Sequence, residues 1–181
     1  MTVSEIFSAL SAHFIKGLMI HDQLADYYDF LSLRGYKRCH EYHFKKETCS
    51  YRKLHRYYLN QCDRLIPEQR VDNPNVIPET WYRYAREDVD VQTKKDAVKS
   101  GVAKWVDWEE DTLDKLQKAY ADLYDIGEPS CAIFIEGFIK NVEQELKYAK
   151  RKQIELEDVE YSLPYILDEQ KRIHDKYKRM L

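Results

Sequence analysis

Histidine and glutamate side chains fall at inward-facing positions of four predicted helices. They are His21 on the first helix, His43 and Glu47 on the second, Glu109 on the third and Glu145 on the fourth. Imidazole nitrogens and carboxylate oxygens are common protein ligands of zinc, iron and manganese. If the helices bring these residues to one level, the sequence predicts a mononuclear site of His21, Glu47 and Glu109, completed by His43 or Glu145.

The first two helices are predicted from a seam of residues that recurs in alternating steps of three and four. This spacing is typical of helices that pack against each other along a narrow face. Helix A is expected from about Val3 to Leu33 and helix B from about Tyr36 to Asn60, with Gly35 as the helix stop between them. The seam of helix A comprises Phe7, Leu10, Phe14, Gly17, His21, Leu24, Tyr28 and Leu31.

A tight turn at Leu33 to Gly35 also predicts the register of this hairpin. It pairs positions whose numbers sum to 68, so His21 is expected to face Glu47. Gly17 is unusual inside a helical seam, since glycine costs about 1 kcal/mol of helix propensity. A close helix crossing, or a large neighbour such as Tyr51, would explain it.

A second hairpin follows a long polar connection between residues 65 and 90 that contains three prolines. Helix C is predicted from about Val91 to Asp125, and Gly127 ends it. Pro129 opens helix D, which fades near Lys150. Because the connection is long for a helix turn, it can cross from one end of a bundle to the other.

Ser162 and Pro164 begin a shorter fifth helix that is predicted to end near Met180. Its narrow apolar stripe predicts docking on the bundle or on another subunit: Ile166, Leu167, Ile173 and Tyr177. The sequence therefore predicts a single all-α domain over residues 1–181, with a core bundle over 4–150 and a C-terminal helix over 162–180.

The composition agrees with a soluble helical protein. Charged residues make up 34% of the 181 residues, and there are only five glycines and five prolines, which favours long amphipathic helices over strands. A net charge of −3 argues against a nucleic-acid partner. No apolar run approaches the roughly 20 residues that span a bilayer, and no leader pattern opens the chain. We therefore expect no membrane partner and a cytoplasmic location, where the four cysteines are reduced thiols.

Two long hairpins, a long crossover and inward-facing acidic residues resemble the ferritin-like four-helix bundle. The resemblance spans about residues 4–150 and rests on architecture. Di-iron members carry one Glu on helix A, Glu-x-x-His on B, one Glu on C and Glu-x-x-His or its remnant on D. It implies an up-down bundle, an iron site and assembly into a homo-oligomer.

This chain departs from the di-iron pattern at three positions. His21 stands where helix A has its Glu, Ser50 follows Glu47 at the histidine position of helix B, and Tyr148 follows Glu145 at that of helix D. Both nitrogen ligands of a dinuclear site are thus missing from these positions. Only His21, His43 and His40 are available as substitutes.

Two functions remain open from the sequence. The leading hypothesis is a ferritin-like bundle that has lost di-iron oxidase chemistry, binds no cofactor and acts as a structural or interaction module, with an unknown protein partner. In it, the His and Glu residues form a metal-free polar layer that fixes helix register. The alternative is a protein that binds one Fe, Zn or Mn ion, or a ferroxidase-like protein.

Glu110 and Glu136 replace Glu109 and Glu145 if the register differs. Trp105 and Trp108 are interpreted as bundle or subunit contacts.

Overall fold

A computed structural model describes residues 1–178 and 180. Within these residues the chain forms five α-helices and no strand. The predicted all-α bundle with a long crossover and a short fifth helix is confirmed. The helices are α1 (Val3–Phe30), α2 (Arg34–Cys62), α3 (Val91–Asp125), α4 (Pro129–Asp158) and α5 (Leu163–Lys178).

The helices pack as two antiparallel hairpins with α5 added to one of them. Helix α1 packs along α2, α3 packs along α4, and α5 lies against α2. The crossover between α2 and α3 contains two short 3₁₀ helices, Glu79–Arg83 and Arg86–Asp88. Its Trp81 ring packs edge-on against Tyr27, with centroids 4.9 Å apart. This contact holds the crossover on the bundle, although Tyr82 beside it is exposed.

Buried apolar side chains form two clusters, one at each end of the bundle. One cluster contains Phe7, Phe14 and Leu116, and the other contains Leu24, Tyr28 and Val102. Between them lie the buried polar residues of the predicted site. The polar level therefore divides the core, as a layer that fixes register or holds an ion would do.

The turn between α1 and α2 differs from the prediction. Helix α1 ends at Phe30, Ser32 takes a left-handed conformation at φ 60°, and Arg34 already begins α2. Gly35 is therefore not a helix stop but part of the first turn of α2. A Cβ at Gly35 would lie 1.8 Å from the Gln170 carbonyl oxygen of α5. Its lack of a side chain lets α5 approach α2.

The second hairpin confirms the predicted turn residues but extends further. Gly127 has φ +80° and Pro129 begins α4. Helix α4 continues to Asp158, so the expected fading near Lys150 is wrong. Its Lys152 forms an ion pair with Glu169 of α5 at 2.9 Å, and Glu169 also accepts a hydrogen bond from the Tyr36 hydroxyl of α2.

Helix α5 docks on the bundle through the predicted stripe. Ile166, Ile173 and Tyr177 are buried, whereas Leu167 is 39% exposed and was wrongly included. Buried Glu169 shares this face with them. The stripe is thus narrower and more polar than the apolar pattern indicated.

Helix α1 is more apolar than the sequence analysis allowed. By length and composition alone, Val3–Phe30 is long and apolar enough to cross a membrane. The expectation that no apolar run approaches that length is therefore wrong. Half of its most apolar window is buried inside the bundle. The core helix of a soluble bundle has the same character, because its neighbours cover it.

Candidate metal centre

Three predicted ligands from three helices converge between the two apolar clusters. His21 of α1, His43 of α2 and Glu109 of α3 each offer one ligand atom, and these atoms all lie within 4.8 Å of one another. All three side chains are buried, with at most 3% of their surface exposed. Because the helices that carry them are separated along the chain, only packing brings this group together.

The other two predicted ligands lie beside this group. Glu145 Oε2 is 3.6 Å from His43 Nε2, and the same carboxylate forms an ion pair with Lys46. Glu47 packs against Gly17, where a Cβ would lie 3.1 Å from its carboxyl carbon. Both carboxylates border the centre from the second and fourth helices.

The predicted pairing of His21 with Glu47 is wrong. The His21 ring stacks instead with His40 and His43, at centroid distances of 5.3 and 5.1 Å. Because the turn is centred near Ser32 and not at Arg34, α2 is displaced by about one helical turn from the predicted register. Gly17 consequently makes room for Glu47 and Trp108, and not for Tyr51.

The two alternative carboxylates face outward. Glu110 pairs with Lys150 at 2.6 Å, and Glu136 pairs with Lys140 at 2.7 Å, both with more than 40% of the side chain exposed. Glu109 is therefore the inward carboxylate of α3, as first predicted. The exposed neighbour Glu110 provides a natural control for it.

Two tryptophans support the buried carboxylates, a role that the sequence analysis missed. Trp105 Nε1 donates to Glu109 Oε1 at 3.0 Å, and Trp108 Nε1 donates to Glu47 Oε1 at 3.4 Å. The first contact has a sequence signal, since Trp105 precedes Glu109 by four residues on one helix face. The second joins α3 to α2 and depends on tertiary packing.

The histidines have unsatisfied nitrogens at the centre. His21 Nδ1 lies 3.1 Å from His40 Nδ1, so one ring donates to the other. Among the described residues, His21 Nε2, His43 Nε2 and Glu47 Oε2 are buried without a hydrogen-bond partner. If His21 Nδ1–H donates to His40, the His21 Nε2 lone pair is free, which is the arrangement of a metal-ligating histidine held by a supporting partner.

Burial sets the protonation states of the group. Loss of solvent lowers the pKa of His21 and of His43 well below 6.5, and lowers that of His40 to about 3. Burial and the neighbouring Glu47 carboxylate raise the pKa of Glu109 to about 8, and burial raises that of Glu47 to about 7. At neutral pH the imidazoles are thus neutral bases, the form that binds metals.

A cavity of about 360 Å³ between α2 and α4 reaches this centre from the surface. Its lining includes His43, Glu47, Glu109 and Glu145, and also apolar side chains and lysines. Such a cavity gives a small molecule or ion a route to buried ligands.

These residues fit one metal ion better than two. Two imidazoles and one carboxylate form a three-ligand set that leaves coordination positions open. Around a tetrahedral ion with bonds of roughly 2.1 Å, the ligand atoms lie about 3.4 Å from one another. The three ligand atoms here lie within 4.8 Å of one another, so small side-chain rotations are needed to bring them to that distance. Ser50 and Tyr148 stand three residues after Glu47 and Glu145, and neither side chain carries a nitrogen ligand.

A separate buried histidine lies on the other side of Trp108. His13 Nε2 is 2.8 Å from Thr112 Oγ1, and its ring stacks on the Trp108 ring at a centroid distance of 4.2 Å. Burial lowers the pKa of His13 to about 3, with Lys115 and Lys16 adding to the effect and Asp111 opposing it.

Replacing His13 with Gln is expected to reduce the acid sensitivity of folding. The unfolded chain takes up a proton near pH 6.5, whereas folded His13 stays neutral until about pH 3. Its contribution is therefore present above pH 6.5 and lost as pH falls, by about 1.4 kcal/mol per pH unit. Urea unfolding of both proteins at pH 6.5, 5.5 and 4.5, with a chelator present, should give the variant a slope shallower by about one proton. Parallel slopes would show that His13 does not titrate in this way.

The fold of this chain is similar to that of a known helical protein. No protein-family model matches the sequence, and no curated protein matches it. Among solved structures, the chain is similar to a humanized archaeal ferritin with a TM-score of 0.79 and 13% sequence identity. The match covers 94% of this chain and 93% of that one. At this identity the likeness establishes architecture alone, and the chain has the ferritin-like fold.

Proposed function

We propose that this ferritin-like bundle binds a single divalent transition-metal ion through His21, His43 and Glu109. One observation carries the proposal: one ligand atom from each of the three residues lies within 4.8 Å of the other two, and among the described residues the buried His21 Nε2 and His43 Nε2 have no hydrogen-bond partner. Such unpaired buried polar atoms cost free energy, and an ion would satisfy them. Zinc, iron and manganese all accept this donor set.

The neighbouring residues support the three ligands. Trp105 orients Glu109 through its indole N–H, and His40 orients the His21 ring. Such supporting contacts fix a ligand's direction and tune its basicity. Glu145 lies close to His43 but is held by Lys46, so it is a reserve ligand. Glu47 is a second reserve carboxylate.

We further infer that di-iron oxidase chemistry has been lost. The donors support one ion, and the nitrogen ligand of a second ion has no residue at the family position. A bound ion with open positions would act as a Lewis acid and anchor a small ligand. The chain's own residues then hold the ion, exclude bulk water and orient the carboxylates.

Metal analysis tests this proposal directly. Protein purified without a chelator or metal-affinity tag is dialysed with Fe²⁺, Zn²⁺ or Mn²⁺ and measured by mass spectrometry. About one equivalent per chain is expected for at least one ion. A bound ion should also raise the stability, by about 4 kcal/mol at a thousand times its dissociation constant. Background metal content with no thermal shift for all three ions would refute the proposal.

A second candidate is the structural or interaction module without metal. The tryptophan hydrogen bonds favour it, because they satisfy one oxygen of Glu109 and one of Glu47 without an ion. At pH 7 the raised pKa values would also keep Glu109 mostly protonated and Glu47 partly protonated. The same metal analysis separates the two candidates, since only this one predicts background metal levels.

Assembly and location remain predictions. We expect a homo-oligomer and a cytoplasmic location, the first because of the resemblance to ferritin-like bundles. Light scattering coupled to size-exclusion chromatography measures the assembly independently of metal content. A monomer at all concentrations would contradict the expected homo-oligomer.

A further inference from the structure

We propose that the cavity between α2 and α4 brings a short-chain monocarboxylate to the bound metal ion. This inference rests on the proposed metal site and names the class of ligand that would occupy its open positions. Two of the three proposed metal ligands, His43 and Glu109, line the cavity. A molecule that enters it therefore approaches the ion from the side that these two ligands share.

The inner walls of the cavity are apolar. Phe14 and Phe138 are buried core residues, and half-buried Val142 lies beside them on the lining. These side chains favour an aliphatic group over a second charged group. A volume of about 360 Å³ is at the small end of ligand pockets, so the occupant is a molecule of a few carbons.

The charges that line the cavity favour an anion once the ion is present. The lining carries three lysines, Lys45, Lys46 and Lys53, whose charges balance those of Glu47, Glu109 and Glu145 when all three acidic groups are ionised. The two positive charges of the ion are then unbalanced in a partly enclosed space of reduced dielectric. A carboxylate that binds the ion offsets this charge, and its alkyl chain packs on the apolar wall.

The cobalt-loaded protein gives a spectroscopic test. Co²⁺ is bound first, and its visible absorption is followed while acetate, butyrate or hexanoate is added, with butanol as a neutral control. Each acid should shift the spectrum saturably. Butyrate should bind about 16-fold more tightly than acetate, because it has two more methylenes and each buried methylene adds about a fourfold gain. Butanol should leave the spectrum unchanged.

Two substitutions probe the cavity without touching a proposed metal ligand. Val142→Phe narrows it and should weaken butyrate binding by at least tenfold while Co²⁺ still binds. Lys53→Gln should weaken every acid by a few-fold, whereas the matched surface change Lys140→Gln on α4 should have no effect. The chain-length series on the unaltered protein remains decisive if Val142→Phe does not fold.

The outcomes separate this inference from the proposed function. If Co²⁺ binds but none of the acids shifts its spectrum at millimolar concentration, the metal site stands and the carboxylate inference is overturned. If phosphate or chloride shifts the spectrum as strongly as butyrate, with no chain-length trend, the inference is also overturned. If Co²⁺ does not bind, both the metal site and this inference fail.

Discussion

Glu109→Gln is expected to weaken zinc or cobalt binding by at least about 100-fold. The substitution replaces the only anionic member of the three-ligand set with a neutral amide of nearly the same shape. The loss should exceed the 10- to 100-fold effect usual for a residue that merely supports a ligand. Competition with a coloured chelator measures the affinity of both proteins. His21→Gln should act in the same direction, since it removes one of two nitrogen ligands.

Glu110→Gln is the matched control for this experiment. Glu110 is adjacent in sequence and carries the same side chain, but it faces solvent and pairs with Lys150. Its removal should leave metal affinity within about twofold of the unaltered protein, because an exposed ion pair contributes little. Equal losses in both variants would show that metal binds to acidic groups on the surface and not at the interior site.

Gly35→Ala is expected to lower the free energy of unfolding by about 3 kcal/mol or more. The added methyl would sit 1.8 Å from the Gln170 carbonyl oxygen, and backbone cannot yield as a flexible side chain can. Overpacking alone costs about 1–3 kcal/mol. If α5 moves away, the buried Ile166 and Ile173 also lose packing, at about 1.5–3 kcal/mol for each side chain that becomes fully exposed. Urea unfolding followed by circular dichroism measures the change.

Gly137→Ala tests whether this effect belongs to the α2–α5 contact. Gly137 lies inside α4, and a Cβ there would meet nothing within 4 Å. Alanine should therefore stabilise the protein by up to about 1 kcal/mol through helix propensity alone. Limited proteolysis should cleave within 163–178 faster in Gly35→Ala than in the control. An unchanged unfolding midpoint in Gly35→Ala would show that α5 accommodates the methyl group.

The buried histidines and carboxyl groups between the two apolar clusters have two opposing effects, one on stability and one on metal binding. Burying histidines and carboxylates costs stability, and their shifted pKa values record that cost. The same shifts keep the imidazoles neutral at physiological pH and ready to accept an ion. Apolar side chains at these positions would give the core a higher free energy of unfolding. The presence of the buried polar groups is therefore best explained by binding or by the need to fix helix register.

Helical periodicity alone identified most of the elements. The bounds of α3 were predicted at both ends, because Asp90 caps its start and Gly127 takes the left-handed conformation that ends it. The inward face of α3 was predicted through Glu109 with Glu110 as the alternative, and the structure places Glu109 in the core and Glu110 at the surface. Local preference therefore determines which residues are helical and which face of a helix turns inward.

Only the tertiary structure decided how far each helix is displaced along its neighbour. An α-helix presents the same face again after one turn, so a shift of about 3.6 residues leaves the apolar seams matched. This is why His21 meets His40 and His43 where the seam alone paired it with Glu47. The turn at Ser32 and the packing of Trp108 into the space at Gly17 select among these shifts. Sequence by itself determined the elements and the chemistry of their inner faces, while packing across the bundle determined which of those groups meet, because that choice depends on contacts between distant helices.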